Sequence, residues 1–135
     1  MAFIICDDLY ATGIESIDEQ HKHLISLLNR MFEALFQKKG KDKLAYVIDE
    51  MKKYAVYHFS TEESLMEKAG FTGLTDHCAF HELFTSKVND FSEKFDLQDE
   101  ALTAEVTIFL TNWINEHLSM VDQQYVPALK NAGIT

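Results

Sequence analysis

The chain has 135 residues, 47% of them hydrophobic, with ten Phe, five Tyr and a formal net charge of −10. That length suits a single domain, residues 1–135, able to bury a core without staples, and the apolar content excludes a disordered chain. The negative charge argues against nucleic acid as a partner, because neutralising phosphates takes Lys and Arg. No apolar run reaches the ~18–20 residues of a membrane span, so no membrane partner is expected.

Cys6 and Cys78 are too few for a disulfide framework and read as free thiols in a reducing compartment. The start, MAFIICDDLY, has no basic region ahead of its apolar residues and does not look like a signal peptide. A cytoplasmic location is expected.

Five Gly and one Pro give little punctuation, which favours long helices. The first helix is expected to begin near Ser16 or Asp18, either of which suits a cap. Ile17, Leu24, Leu28, Phe32 and Leu35 fall at helical spacing, and QKKGKDK closes the segment with Lys residues and Gly40. The second helix starts near Asp42. Leu44, Val47, Ile48, Met51, Tyr54 and Ala55 keep one phase into His58, Glu62, Leu65 and Met66, and Gly70 stops it.

The third begins near Thr75 or Asp76, with a stripe of His77, Phe80, His81, Phe84, Val88, Phe91 and Phe95. The fourth opens near Asp99 or Thr103. Leu102, Val106, Phe109, Leu110, Trp113, His117, Met120 and Val121 share its face, Pro127 bends or ends it, and KNAGIT reads as a frayed tail. Short connections make successive helices antiparallel neighbours. The expected fold is all-α: an up-down-up-down antiparallel four-helix bundle. An N-terminal arm, residues 1–15, lies across it, held by Phe3, Ile4, Ile5 and Tyr10.

Polar residues then stand out in the core phase. His21 keeps the register of Ile17 and Leu24, His58 and Glu62 that of Met51 and Tyr54, His77 and His81 that of Phe84, and His117 that of Trp113. Residues four apart sit only about 40° apart around a helix, so each pair can serve one centre. A lone inward His is more often a satisfied core residue than a ligand. Five of them with an inward Glu62 are different, because each unpartnered buried polar group costs about 1–3 kcal/mol and a metal centre satisfies them together. His23, about 200° from His21, belongs to the surface.

Asp122 lies five residues after His117, a poor spacing on a regular helix. A π-bulge would align the two, and such bulges cluster at functional sites. Five imidazoles and two carboxylates are too many for one tetrahedral zinc. They suit two ions bridged by both carboxylates, although imidazole accepts Fe, Zn, Cu and Ni alike.

The segments GIESIDEQHKHL (13–24), HFSTEESLM (58–66), HCAFH (77–81) and WINEHLSMVDQQY (113–125) resemble the hemerythrins. The likeness is greatest to the bacterial single-domain or sensor-attached kind, and it covers nearly the whole chain in order. It implies two non-haem Fe ions with an oxo or hydroxo bridge and dioxygen as ligand. His77, His81 and His117 would complete one iron, His21 and His58 would hold the other, and Glu62 and Asp122 would bridge them. The His21/His58 iron would keep an open position. The resemblance also implies an apolar dioxygen pocket walled by Leu24, Phe59, Trp113 and Leu118. The arm departs from many relatives in having IICDD where they carry a Trp, and Leu118 stands where Ile is common.

The expected function is reversible dioxygen binding without enzymatic turnover: carriage, storage, or O2 or redox sensing with a signalling module attached. The alternatives are a di-iron oxidase or peroxidase, an iron- or nitric-oxide-handling protein, and a metal-free interaction bundle. An oxidase wants a polar acid or base beside the open position. Tyr54, Tyr57 and Tyr125 are the nearest candidates, and surface or rim placements are expected for them. Cys78, about 100° off the His77/His81 face, reads as a core or interhelical thiol.

Overall fold

The apolar phase of each segment decides which face it buries. In the computed structural model, which describes residues 10–36, 40–97 and 101–135, these faces belong to four helical rods. They are α1 (Glu15–Phe36), α2 (Gly40–Lys68), α3 (Leu74–Asp96) and a fourth rod of mixed geometry. The fourth starts as α4 (Leu102–Asn112), widens into a π-helical segment (Trp113–Val121), tightens into a 3-10 turn (Asp122–Tyr125) and ends as α5 (Val126–Asn131). No strand occurs among the described residues. Asp99 and the arm residues Phe3, Ile4, Ile5 and Cys6 lie outside them.

α1 packs beside α2 and the fourth rod, and so does α3. His21 lies near the start of α1, His58 near the end of α2, His77 near the start of α3 and His117 late in the fourth rod, yet these residues meet. Successive rods must therefore run in opposite directions, as in an up-down-up-down bundle. No helix of the described residues is long and apolar enough to cross a membrane.

The core divides in two. A large cluster holds Leu24, Leu28, Met31, Val47, Met51, Phe84, Val88, Phe91, Val106 and Leu110. A smaller one at the other end holds Ile14, Ile17, Met66, Tyr125 and Leu129. The buried imidazoles and carboxylates form the layer between them. Three residues of the expected stripes are exposed instead: Leu35, Phe80 and Met120. Leu35 sits in the last turn of α1. Phe80 falls at the edge of the α3 stripe, about 60° from His77. Met120 is turned outward by the π segment, whose wider turn rotates it off the face that an α period would give it.

Helix ends also differ from expectation. α1 begins at Glu15, and Asp18 does not cap it. The Asp18 carboxylate instead accepts from the Thr12 N–H and hydroxyl, both at 2.8 Å, and from the Gly13 N–H at 3.1 Å. It thereby ties Thr12 and Gly13 to the first turn of α1, and nearby in sequence Tyr10 donates to Asn115 at 3.2 Å. Pro127 neither bends nor ends the rod. It occupies the first turn of α5, where a missing N–H costs nothing. The tail is capped rather than frayed: Ile134 N–H reaches the Leu129 carbonyl and Gly133 N–H that of Lys130, both at 3.0 Å.

The same capping geometry closes α2. Gly70 has φ of 67°, its N–H reaches Glu67 at 3.1 Å, and the Phe71 N–H reaches Met66 at 3.0 Å. Phe71 then packs on the Met66 cluster, which sets the turn that brings His77 opposite Glu62. A Cβ at Gly70 would meet nothing within 4 Å, so only the backbone would object. Gly70→Ala is therefore expected to destabilise the fold by about 1–2 kcal/mol, the left-handed penalty for a non-glycine residue. Urea denaturation would show it as a lower midpoint at unchanged slope.

Candidate metal centre

Four rods each aim imidazole into the layer between the two apolar clusters. His21, His58, His77, His81 and His117 are at most 3% exposed, and Glu62 and Asp122 are fully buried. Every imidazole presents Nε2 to a carboxylate. His58 meets Glu62 at 2.7 Å and His81 meets it at 3.4 Å. His77 and His117 meet Asp122 Oδ1 at 3.0 Å, and His21 meets Oδ2 at 3.1 Å. These approaches lack hydrogen-bond geometry, and all five Nε2 atoms, Glu62 Oε1 and both Asp122 oxygens are left without a partner.

The five-residue spacing from His117 to Asp122 is resolved by the backbone. The rod is π-helical from Trp113 to Val121, and the Asp122 N–H reaches back to the His117 carbonyl. That i→i+5 bond brings Asp122 under His117, where a regular helix would have carried it away.

Electrostatics follow the same layout. Burial and the neighbouring Asp122 push the Glu62 carboxyl up, but His58 and His81 outweigh them and bring it down to about 2. Burial pushes Asp122 up as well, and His117, His21 and His77 hold it well below the usual carboxylate range. Burial lowers His58 despite Glu62. For His21 and His81 burial also acts downward, but the carboxylates prevail and raise both. The two carboxylates thus stay anionic.

Two of the rings are oriented from behind. His58 Nδ1 lies 2.5 Å from Gln20 Oε1, and His81 Nδ1 lies 2.8 Å from Glu63 Oε2. Both partners are acceptors, so Nδ1 carries the proton and the Nε2 lone pair faces the centre. Metal-binding imidazoles commonly have this arrangement. Neither Gln20 nor Glu63 was singled out by the sequence; their adjacency to His21 and Glu62 was the available signal.

The tyrosines depart most from expectation. Tyr57 is exposed, but Tyr54 and Tyr125 are core residues, not rim residues. The Tyr125 hydroxyl donates to Glu62 Oε2 at 2.6 Å. Its place three residues after Asp122 was the available signal. Burial first, then the two carboxylates, push the Tyr125 and Tyr54 phenols well above their ordinary range, so both stay protonated. Tyr54 stacks on His58 with centroids 4.6 Å apart. Among the four apolar residues expected as pocket walls, Leu24 and Leu118 are fully buried. Phe59 stacks on His81 at 3.8 Å and Trp113 on His117 at 4.0 Å. Cys78 is half-buried beside Glu63 and Glu82 on a groove between α2 and α3, outside the core.

The seven residues divide into two sets that could each hold a cation. One is Glu62, His77, His81, His117 and Asp122; the other is His21, His58, Glu62 and Asp122. Ligand atoms within each set lie within 4.8 Å of one another, and the two carboxylates belong to both. With their partnerless buried nitrogen and oxygen atoms, these sets could each hold a metal ion.

A four-helix bundle with a buried histidine–carboxylate layer defines a class of cation-binding helical proteins. Residues 12–129 match the family model described as the hemerythrin HHE cation binding domain. The chain belongs to the hemerythrin family. It is 33% identical over 132 residues to the bacteriohemerythrin of Pseudomonas aeruginosa, covering 98% of this chain and 85% of that one. It is 33% identical over 123 residues to the bacteriohemerythrin of Clostridium acetobutylicum, covering 88% and 95%. The myohemerythrin of Riftia pachyptila is 26% identical over 121 residues, covering 90% and 89%. A crystal structure of wild-type hemerythrin superposes with a TM-score of 0.80 at 25% identity, covering 96% and 98%.

Tyr125→Phe removes the donor to a fully buried carboxylate oxygen while keeping the ring. It is expected to destabilise the protein by about 1–3 kcal/mol. An unchanged denaturation midpoint would show that Glu62 does not depend on this bond.

Proposed function

We propose that this chain binds dioxygen reversibly at a pair of iron ions held by His21, His58, Glu62, His77, His81, His117 and Asp122. The observation that carries this is the convergence of five imidazole Nε2 atoms on two buried carboxylates that both sets share. When bound, a pair of ferrous ions supplies two electrons that dioxygen can borrow and return.

The chain's own residues set the conditions. Glu62 and Asp122, which belong to both ligand sets, would serve both ions, and their two negative charges would offset part of the charge the ions bring. The set of His77, His81 and His117 is complete on its side, whereas that of His21 and His58 is one side chain shorter. An open position would therefore fall beside His21 and His58. Gln20 and Glu63 hold the proton on Nδ1 of His58 and His81 and keep each Nε2 available. Leu24, Phe59, Trp113 and Leu118 line the apolar side, excluding water and the protons that would make oxidation irreversible.

A binding role is supported by the apolar packing beside the ligands, where Leu24, Phe59, Leu118 and the ring of Trp113 belong to the large core cluster. The hydroxyls nearby belong to Tyr54 and Tyr125, and both are held in the protonated form. Carriage or storage, and sensing through an attached module, draw on the same chemistry.

Anaerobic, reduced, iron-quantified protein is expected to hold about two irons per chain, the number its two ligand sets call for. Titration with O2 is expected to raise a charge-transfer band in the visible that disappears on deoxygenation. Immediate one-way oxidation with release of peroxide or water would favour a di-iron oxidase instead.

A further inference from the structure

Among the described residues, two buried side-chain polar atoms outside the seven ligands have no partner: the hydroxyl of Tyr54 and the indole nitrogen of Trp113. Native proteins rarely leave a buried donor unmatched, and each case calls for an explanation. The two are not equivalent. Trp113 stacks on His117, which belongs to the complete ligand set. Tyr54 stacks on His58, in the shorter set, with an interplanar angle of 20°.

Tyr54 stands one helical turn before His58 on the inward face of α2, and its ring also meets Phe59 and Phe84. The ring is thus part of the apolar wall, and its hydroxyl is the polar atom in that wall on the His58 side. The hydroxyl is shut off from solvent, on a ring that lies against the His58 imidazole. Neither Glu62 nor Asp122 accepts a hydrogen bond from it.

We infer that the Tyr54 hydroxyl is a hydrogen-bond donor to the dioxygen held on the His21/His58 side, a specificity-determining group within an otherwise apolar pocket. The inference rests on the dioxygen-binding function proposed above. Dioxygen bound with electron transfer carries negative charge and is a good acceptor; a neutral phenol donates to it without releasing a proton. In the ligand-free protein the donor stays unmatched, so its hydrogen bond is gained only when the ligand arrives. That arrangement favours the charged, bound ligand over a neutral molecule of the same size.

The competing explanation is water. A cleft of about 510 Å³ between α1 and α2 has Tyr54, His58 and Gln20 in its wall, and water from it could satisfy the hydroxyl. Tyr54→Phe separates the two, since Phe keeps the stack on His58 and removes only the oxygen.

The experiment compares wild type and Tyr54→Phe in two measurements. The first is denaturation of the metal-free proteins. Equal or greater stability of the variant is expected, because an unmatched hydroxyl is lost; a lower midpoint would mean that the hydroxyl already has a partner, and would overturn the inference. The second is the O2 dissociation rate of the iron-loaded proteins by stopped flow. The variant is expected to release O2 about tenfold faster, the factor that one hydrogen bond to a charged acceptor carries. Equal rates, with wild type binding reversibly, would overturn the Tyr54 inference alone. Failure of wild type itself to bind O2 reversibly would overturn both this inference and the proposed function.

Discussion

Five imidazoles and two carboxylates share one buried layer, and their nitrogen and oxygen atoms face one another without forming proper hydrogen bonds. Ten side-chain atoms of these seven residues are buried without a partner. Burying them in this way carries a desolvation cost. Attraction between carboxylate and imidazole offsets part of it, as the depressed Glu62 and Asp122 show. Cations shared between the two sets would remove the remainder at a stroke, and the bundle is built around that requirement.

The requirement explains features that packing alone does not. A continuous apolar core would be the simpler solution for four amphipathic helices. Instead the core is divided, with one cluster on each side of the polar layer. The rings next to the layer are not arbitrary fillers. Phe59, Trp113 and Tyr54 lie nearly flat on His81, His117 and His58, fixing the planes of three imidazoles. Gln20 and Glu63 fix the tautomers of two from behind. The π-helical segment is the costliest of these devices, since it gives up regular hydrogen bonding in one rod to aim Asp122.

Most of this was legible in the sequence because helical phase is a strong signal. Once the apolar stripes were assigned, His21, His58, Glu62, His77, His81 and His117 fell on the inward faces by arithmetic. Asp122 fell off the face by the same arithmetic, and the misfit was itself the clue to a widened turn. What phase could not supply was anything set by the third dimension. Tyr125 looked like a rim residue because the sequence does not reveal what closes the bundle's end, whereas Tyr54 lies where its helical phase put it, in the core. Gln20 and Glu63 are off the stripe by one residue, yet their side chains reach around to the backs of the rings. Phe80 and Met120 carried the right spacing and remain exposed, one at the stripe's edge and the other turned out by the π segment. Asp18 looked like a helix cap and proved to be the anchor of the preceding arm. At the last helix, Pro127 marked a start rather than a stop.

Crystals of the iron-loaded protein, measured at the iron absorption edge, would show whether the layer holds a pair of ions. Two anomalous peaks are expected, one among His77, His81 and His117 and one beside His21 and His58, with Glu62 and Asp122 contacting both. A single peak, or two that do not share the carboxylates, would contradict the paired site on which the account depends.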